Sequence, residues 1–345
     1  MVEFDIVIAT KDRPAALRAS IPSMVGQSRK PRAIIIVDSS VDHSATRDVV
    51  SETTKCCSAK IIVINSLPGL TRQRNIGLKQ VTTPIVMFPD DDSILFPDTA
   101  ESIMRVYERD TEKKVAAVCA AESPTPPSGI LEVLLATYQM SMTHRIMQRI
   151  GHTRARLERW AFPDPFILCG RAMREIYLEP DWFLSENAVV VEWMTGFRMS
   201  FRTEVIRRYG FDENFGGYAL FEDVDASFNA MKSGLVVGAR NAQIYHHRMP
   251  GGRGNERRLG VTQILNRAYV ICKHSAPESN HRTWLIRYGQ YKLAQYAFRL
   301  GSSGGRERFA GAWAAQKYVN RLLQAPKEDL ATVYKEVLQE SLKEN

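Results

Sequence analysis

The sequence predicts an α/β fold, a mostly parallel sheet with helices on both faces, followed by a C-terminal helical extension. Two observations carry this. Short apolar runs alternate with segments of helical spacing through residues 4–121, which implies parallel strands joined by crossover helices. Beyond residue 260 only segments of helical spacing remain.

Residues 4–9 are a short apolar run and read as a buried strand. Residues 13–25 have helical spacing, with Pro14 in a first turn that needs no N–H. Residues 33–37 are a second β-rich run, 44–51 a weaker helix and 60–64 a third strand. A helix over 70–81, a strand over 85–88, a helix over 97–111 and a fifth strand over 115–121 continue the alternation. Later, a helix starts at Glu222, a strand covers 243–245, and helices are expected over 263–274, 283–300 and 309–324.

The chain has 345 residues, enough for one large α/β domain with additions or for two modest domains. Its apolar fraction of 44% suits a globular protein with a real core. Cys56, Cys57, Cys119, Cys169 and Cys272 form no C-x-x-C pair, which argues against a zinc ribbon or a thioredoxin-like motif and for reduced cysteines in the cytoplasm. The N-terminus lacks the basic and apolar regions of a signal peptide, and no stretch reaches the roughly 18 apolar residues of a membrane span. A net charge of +8 and a pI of about 9.2 favour phosphate-bearing partners: nucleotide, nucleic acid or an anionic membrane.

In such sheets ligands bind beyond the carboxyl ends of the strands. The first strand ends in Thr10, Lys11, Asp12 and Arg13, the second in Asp38, Ser39 and Ser40, and the fourth in Pro89, Asp90, Asp91 and Asp92. Polar residues end strands because loops are polar, but three consecutive acids directly after a buried strand need more. Neighbouring carboxylates raise each other's pKa unless a cation or hydrogen-bond donors compensate. A hard divalent metal held by oxygen ligands and a diphosphate is the natural compensation. Neither G-x-G-x-x-G after the first strand nor a Walker A sequence is present, against a nicotinamide dehydrogenase or a P-loop enzyme.

The order of motifs resembles the inverting family-two glycosyltransferases. It runs Thr10-x-Asp12-Arg13, Val37-Asp38-Ser39-Ser40, Arg74-Asn75-x-Gly77, Phe88-Pro89-Asp90-Asp91-Asp92, Thr195-Gly196-Phe197-Arg198, Gly210-Phe211-Asp212-Glu213, Glu222-Asp223-Val224-Asp225 and Tyr245-His246-His247, over residues 4–250. Two departures stand out. Ser39 and Ser40 replace the second acid and the glycine of Asp-Asp-Gly-Ser, which bears on base recognition, and Gly196-Phe197-Arg198 replaces Gly-x-Asn, which bears on contact with the donor sugar.

The resemblance implies a GT-A fold and transfer of a sugar from a nucleotide-sugar donor, by default a UDP-sugar, to a glycan or lipid-linked acceptor. It implies a divalent metal, Mn2+ or Mg2+, on Asp92 and His246, with Asp90 near the ribose and the metal. His247 is the alternative to His246, since adjacent strand residues face opposite ways. Asp91 is either an acid behind the metal or a helix cap. Asp223 is implied as the base and Glu222 as holding the acceptor, although the helix dipole alone favours acids in a first turn. Asp225 reads as a fold contact. Asp38 is implied to meet the nucleotide base, with Thr10, Asp12 and Arg13 lining that pocket. Arg74, Asn75 and Gly196 complete the donor side; Arg72 either reaches the diphosphate or lies on a solvated helix face.

The expected division is a catalytic domain over 1–250 and a lid loop with helices over 251–345. The catalytic domain divides into a nucleotide-sugar half (1–122), a helical insert (123–190) and an acceptor half (191–250). Residues 130–159 look helical and basic, either a solvated face or a surface for anionic lipid. Residues 251–255 read as a closing lid. The aromatic and basic C-terminal helices fit a membrane interface or a helical cap equally well. The resemblance implies cell-surface or exopolysaccharide assembly; the absence of a span, the net charge of +8 and the basic-aromatic helices over 130–160 and 283–324 lead to the expectation of a cytoplasmic protein, peripheral on the cytosolic membrane face. Rival readings are a GT-A-like nucleotidyltransferase, which usually has a glycine-rich basic loop, and a non-catalytic glycosyltransferase-like partner protein. A nucleic-acid module is disfavoured because acids interleave with the basic residues.

Overall fold

The computed structural model describes residues 1–55, 57–128, 162–174, 178–249 and 255–344. The expected helix over 130–159 and most of the lid loop therefore lie outside the described residues. The chain divides into two compact units, Met1–Gln139 with Met173–Gly252, and Met140–Ala172 with Arg253–Asn345.

The first unit is built on a mixed sheet. Its strands are β1 (Phe4–Thr10), β2 (Ala33–Asp38), β3 (Lys60–Asn65), β4 (Ile85–Pro89), β5 (Ser93–Leu95), β6 (Val115–Ser123), β7 (Ala188–Val190), β8 (Arg198–Arg202) and β9 (Leu235–His246). The order is β3-β2-β1-β4-β8-β6-β9-β5, with β7 also beside β9. β1, β2, β3 and β4 run parallel, as do β6 and β9; β8 lies antiparallel between β4 and β6. The arrangement is the GT-A type that the motif order implies. β1, β2 and β4 are almost wholly buried because both faces are covered, which is why they read as unbroken apolar runs; β3, at the edge, is only partly buried. Ile6, Ile8, Ile34 and Ile36 pack with Leu17 and Ile21 of the helix Pro14–Val25.

Helix Leu70–Gln80 lies close on β1 and β2. A Cβ at Gly77 would stand 2.3 Å from Val7 Cγ1, so only glycine permits that approach. This gives the Arg-Asn-x-Gly motif a packing reason.

Four strands depart from the sequence reading, the first being β7, a three-residue strand within the stretch expected as a helical insert. β5 has three residues and follows the acids at once, too short to show a period. β8 carries arginine at both ends yet fills a central position. β9 starts at Leu235 instead of residue 243. Its pairing with β6 jumps from Ala120–Ala239 to Ala121–Gln243, a bulge that re-aims the strand toward β5.

The last three departures build the site. Antiparallel pairing sets Pro89 opposite Arg198, so the segment entering β8 from Gly196 meets the carboxyl end of β4. β5 pairs Ser93 with His246, so the end of β9 returns beside the acids.

In the second unit the helices are Pro165–Arg174, whose last two residues belong to the first unit, Glu256–His274, Asn280–Ala297, Ser303–Gln316, Val319–Gln324 and Leu330–Lys343. The helix expected over 309–324 is therefore two helices, and the last helix was not foreseen. Arg267 anchors this unit: its guanidinium lies 4.1 Å from the Phe166 ring centre and 4.5 Å from that of Tyr288, and it pairs with Asp164.

Candidate active site

The acids after β4 divide the work among themselves. Asp91 turns inward, accepting from Thr10 Oγ1 at 2.8 Å and from Arg13 Nη1 at 2.6 Å. It caps no helix. Burial pushes its carboxyl up, against the pull of Arg13. Asp92 is also buried, but His246 and Arg13 outweigh burial and hold its carboxyl well below the usual range. Asp92 Oδ2 accepts from Arg13 Nη2 at 2.5 Å and from the Met249 N–H at 3.0 Å. Arg13 Nη2 also donates to the Met249 carbonyl at 3.1 Å.

Asp92 Oδ1 is buried without a hydrogen bond, and His246 Nε2 stands 3.3 Å away. Asp90, Asp92 and His246 each offer one ligand atom, all within 4.8 Å of one another. An orphaned carboxylate oxygen beside a second carboxylate and an imidazole is a donor set that fits a divalent cation. His246 is held for this by stacking on Phe197, ring centres 4.4 Å apart at 18°. His247 is buried, its backbone N–H donates to the Asp92 carbonyl, and burial lowers its imidazole pKa. Of the two histidines, the structure brings His246 to the acids.

Beside this cluster lies a second one. Arg74 is almost completely buried and joins both: Nη2 reaches Asp90 Oδ1 at 2.9 Å and the Gly196 carbonyl at 3.1 Å, while Nη1 pairs with Glu222 Oε1. Glu222 Oε2 is buried without a partner. Burial pushes the Glu222 carboxyl up to about 8, with Arg74 pulling the other way. Asp223 accepts from the N–H of Gly196 at 2.9 Å and from that of Val224 at 2.9 Å, and burial still raises its pKa. The acids occupy the first turn of the helix Glu222–Met231, where the helix dipole favours negative charge. Its N-cap residue, Phe221, takes a left-handed φ of 73°.

Other expected site residues stand apart from the acids. Asp38 is fully buried, its Oδ1 taken by the N–H and hydroxyl of Ser40 at 2.8 and 2.5 Å and its Oδ2 by His43 Nδ1 at 2.9 Å. Burial would raise its pKa, but these hydrogen bonds lower it. Asp12, with φ of 53°, donates its N–H to Ser40 Oγ and accepts from the Val41 N–H. Asn75 binds the N–H and carbonyl of Phe211 and also Glu213. Arg72 lies exposed beside Glu213.

The sequence reading overlooked several supports. Ser93 accepts from the Asp90 N–H and donates to the Phe197 carbonyl. Gln73 bridges the carbonyls of Thr10 and Val37 at 2.7 and 2.8 Å, holding the ends of β1 and β2 together. Ser93, directly after the three acids, was the most findable from sequence.

Residues 5–154 match the family described as glycosyl transferase family 2. The match spans less than half of the chain and includes the acids after β4. Among solved structures, this glycosyltransferase is similar to S. aureus TarS 1–349, at 13% identity and a TM-score of 0.49, covering 98% of this chain and 90% of that one. It is also similar to the mannosyltransferase PcManGT from Pyrobaculum calidifontis in complex with GDP-Man and Mn2+, at 15% identity and a TM-score of 0.48, covering 99% and 86%. A search of curated proteins finds no match.

In the glycosyltransferase, Arg74 ties the acids of the candidate metal centre to the Glu222–Asp223 turn through Asp90, Glu222 and the Gly196 carbonyl. A Cβ at Gly196 would stand 3.1 Å from Glu222 Oε1, 3.5 Å from Arg74 Nη2 and 3.6 Å from Asp223 Oδ2, so the two clusters meet at a position with no side chain.

Proposed function

We propose that the enzyme moves a sugar from a nucleotide-sugar donor to an acceptor hydroxyl with inversion. The observation that carries this is the set Asp90, Asp92 and His246, bridged by Arg74 to Glu222 and Asp223. Asp90, Asp92 and His246 would hold Mn2+ or Mg2+, which supplies Lewis-acid stabilisation of the leaving diphosphate. Arg74 holds Asp90 and Glu222 in register and adds positive charge where the leaving group gains negative charge. Asp223 takes the proton of the acceptor hydroxyl; burial raises its pKa, which makes it a stronger base than a free carboxylate. Glu222, with Oε2 unpartnered, orients the acceptor. Thr10, Asp12, Arg13 and Asp38 shape the nucleotide side at the ends of β1 and β2.

A panel of nucleotide sugars, UDP-sugars first, with Mn2+ or Mg2+ and with excess chelator, tests the reading. Metal-dependent donor turnover is expected; full turnover in chelator would remove the metal from the mechanism, and no turnover or binding of any nucleotide sugar would remove the reading. The setting that fits is assembly of cell-surface or exopolysaccharide glycans, with the enzyme peripheral on the cytosolic face of a membrane. No described helix is long and apolar enough to cross one.

A further inference from the structure

The helical hairpin of the second unit carries a surface that donor chemistry does not use. Helix Asn280–Ala297 and helix Ser303–Gln316 are joined by a turn over 298–302. Phe298 is 83% exposed, Leu300 40% and, on the second helix, Trp313 57%. Phe309 stacks on Trp313 one helical turn away, ring centres 6.1 Å apart. Arg306 precedes Phe309 on the same face, and its Nη1 donates to the Leu300 carbonyl at 3.2 Å, so the tip and the aromatic stripe are contiguous.

The tip is a built structure. Ser302 caps the second helix by accepting from the Gly305 N–H, and the Ser302 N–H returns to the Arg299 carbonyl. Two apolar side chains, Phe298 and Leu300, are thus held in water on a wound turn, an arrangement with a solvation cost. The same stretch of sequence is basic, with two of its basic residues paired to acids elsewhere, Arg308 to Glu256 and Lys317 to Glu344. Residues 283–317 contain six basic residues, Arg287, Lys292, Arg299, Arg306, Arg308 and Lys317, against one acid, Glu307. The following stretch, 318–345, is balanced, with four basic residues and five acids.

We propose that this hairpin is a membrane-docking surface: Phe298 and Leu300 enter the interface of an anionic bilayer, Trp313 lies at headgroup level, and Arg299 and Arg306 meet lipid phosphates. The proposal rests on the peripheral-membrane reading and names the surface that performs it. A soluble polyanion would use the arginines and leave Phe298 and Leu300 in water; a bilayer uses both. A convex tip also suits lipid better than a protein groove. Each basic residue brought to an anionic surface is worth roughly a factor of five in partitioning, and the term weakens with salt.

The test is flotation of the full chain with phosphatidylcholine vesicles and with the same vesicles containing phosphatidylglycerol. Wild type should float with the anionic vesicles at low salt, not with the neutral ones, and should be released by high salt. Phe298→Ser with Leu300→Ser, and separately Arg299→Glu with Arg306→Glu, should each lower binding by about tenfold or more at unchanged melting temperature. The Trp313 fluorescence, isolated by difference from Trp313→Phe, should shift to the blue on vesicle addition. Wild type left in the soluble fraction overturns the peripheral reading and the surface together. Binding that both double variants retain leaves the peripheral reading standing and overturns this surface. Equal binding to neutral vesicles overturns the anionic partner, and a wild-type dimer that the Phe298 variant dissociates assigns the face to a second copy of the chain.

Discussion

The Arg13 guanidinium lies 2.5 Å from Asp92 Oδ2 and leaves Asp92 Oδ1 buried, without a hydrogen bond, facing His246. One oxygen of this carboxylate is fixed by the protein and the other has no hydrogen-bond partner. Arg13 therefore sets which lone pairs Asp92 presents, and it also ties Asp91 and the Met249 backbone into the same frame.

Asp92→Ala is expected to weaken Mn2+ binding in the presence of nucleotide by more than about tenfold, since affinity for hard cations follows the number of charged ligands. Arg13→Met, which removes only the support, should change Mn2+ affinity within the roughly 10–100-fold range of outer-shell partners. Titration of Mn2+ by electron paramagnetic resonance reads both. Unchanged affinity in Asp92→Ala would take Asp92 out of the metal shell.

Asp223→Asn keeps the shape of the side chain but removes the proton acceptor. Transfer should fall by about 10²–10⁴-fold, the usual range for loss of a positioned base. Nucleotide affinity should stay close to normal, because the base acts on the acceptor. Steady-state transfer and a nucleotide titration on the same preparation check this; a wild-type transfer rate would assign the base elsewhere.

The parts of this design visible in the sequence were those with a local signature. β1, β2 and β4 are buried on both faces and announce themselves as apolar runs, and the three acids follow a strand end directly. What stayed hidden depends on partners distant in sequence. Arg198–Arg202 has no apolar run, yet it is a central strand because Arg202 pairs with Asp110 and Arg198 reaches the Ala120 carbonyl. Asp38 looks like a free acid at a strand end until Ser40 and His43 take both its oxygens. Arg74 reads from the sequence as a donor-side residue, and nothing local shows that it is buried between Asp90 and Glu222.

Glu222 makes folding stability pH-dependent in a defined direction. Its carboxyl is raised from 4.5 to about 8, burial outweighing the attraction of Arg74. Between those values the native state keeps a proton that the unfolded chain releases, so stability falls as pH rises from about 4.5 to about 8. One such group gives a slope of at most about 1.4 kcal/mol per pH unit. Glu222→Gln keeps a hydrogen-bonding side chain, cannot ionise, and should remove that share of the slope. Urea unfolding across the window compares the two proteins, and identical slopes would mean that Glu222 titrates as an ordinary carboxyl.

Gly196→Ala separates site geometry from stability. The new methyl group would stand 3.1 Å from Glu222 Oε1, so that carboxylate must give by a few tenths of an ångström. Glu222 is held by Arg74, and Arg74 is held by Asp90 and the Gly196 carbonyl, so the shift cannot stay at one side chain. The Gly196 N–H also holds Asp223 Oδ2, and displacement there moves the proposed base directly. Because misplacement by about 1 Å can cost 10²-fold in rate, a smaller shift is expected to lower transfer by roughly tenfold. Gly196 has no positive φ to preserve, so the backbone accepts alanine and the melting temperature should move little. A large loss of melting temperature with transfer scaled to the folded fraction would show that Gly196 serves packing. Loss of transfer at constant melting temperature would place it, with Arg74, among the groups that hold the two clusters in register.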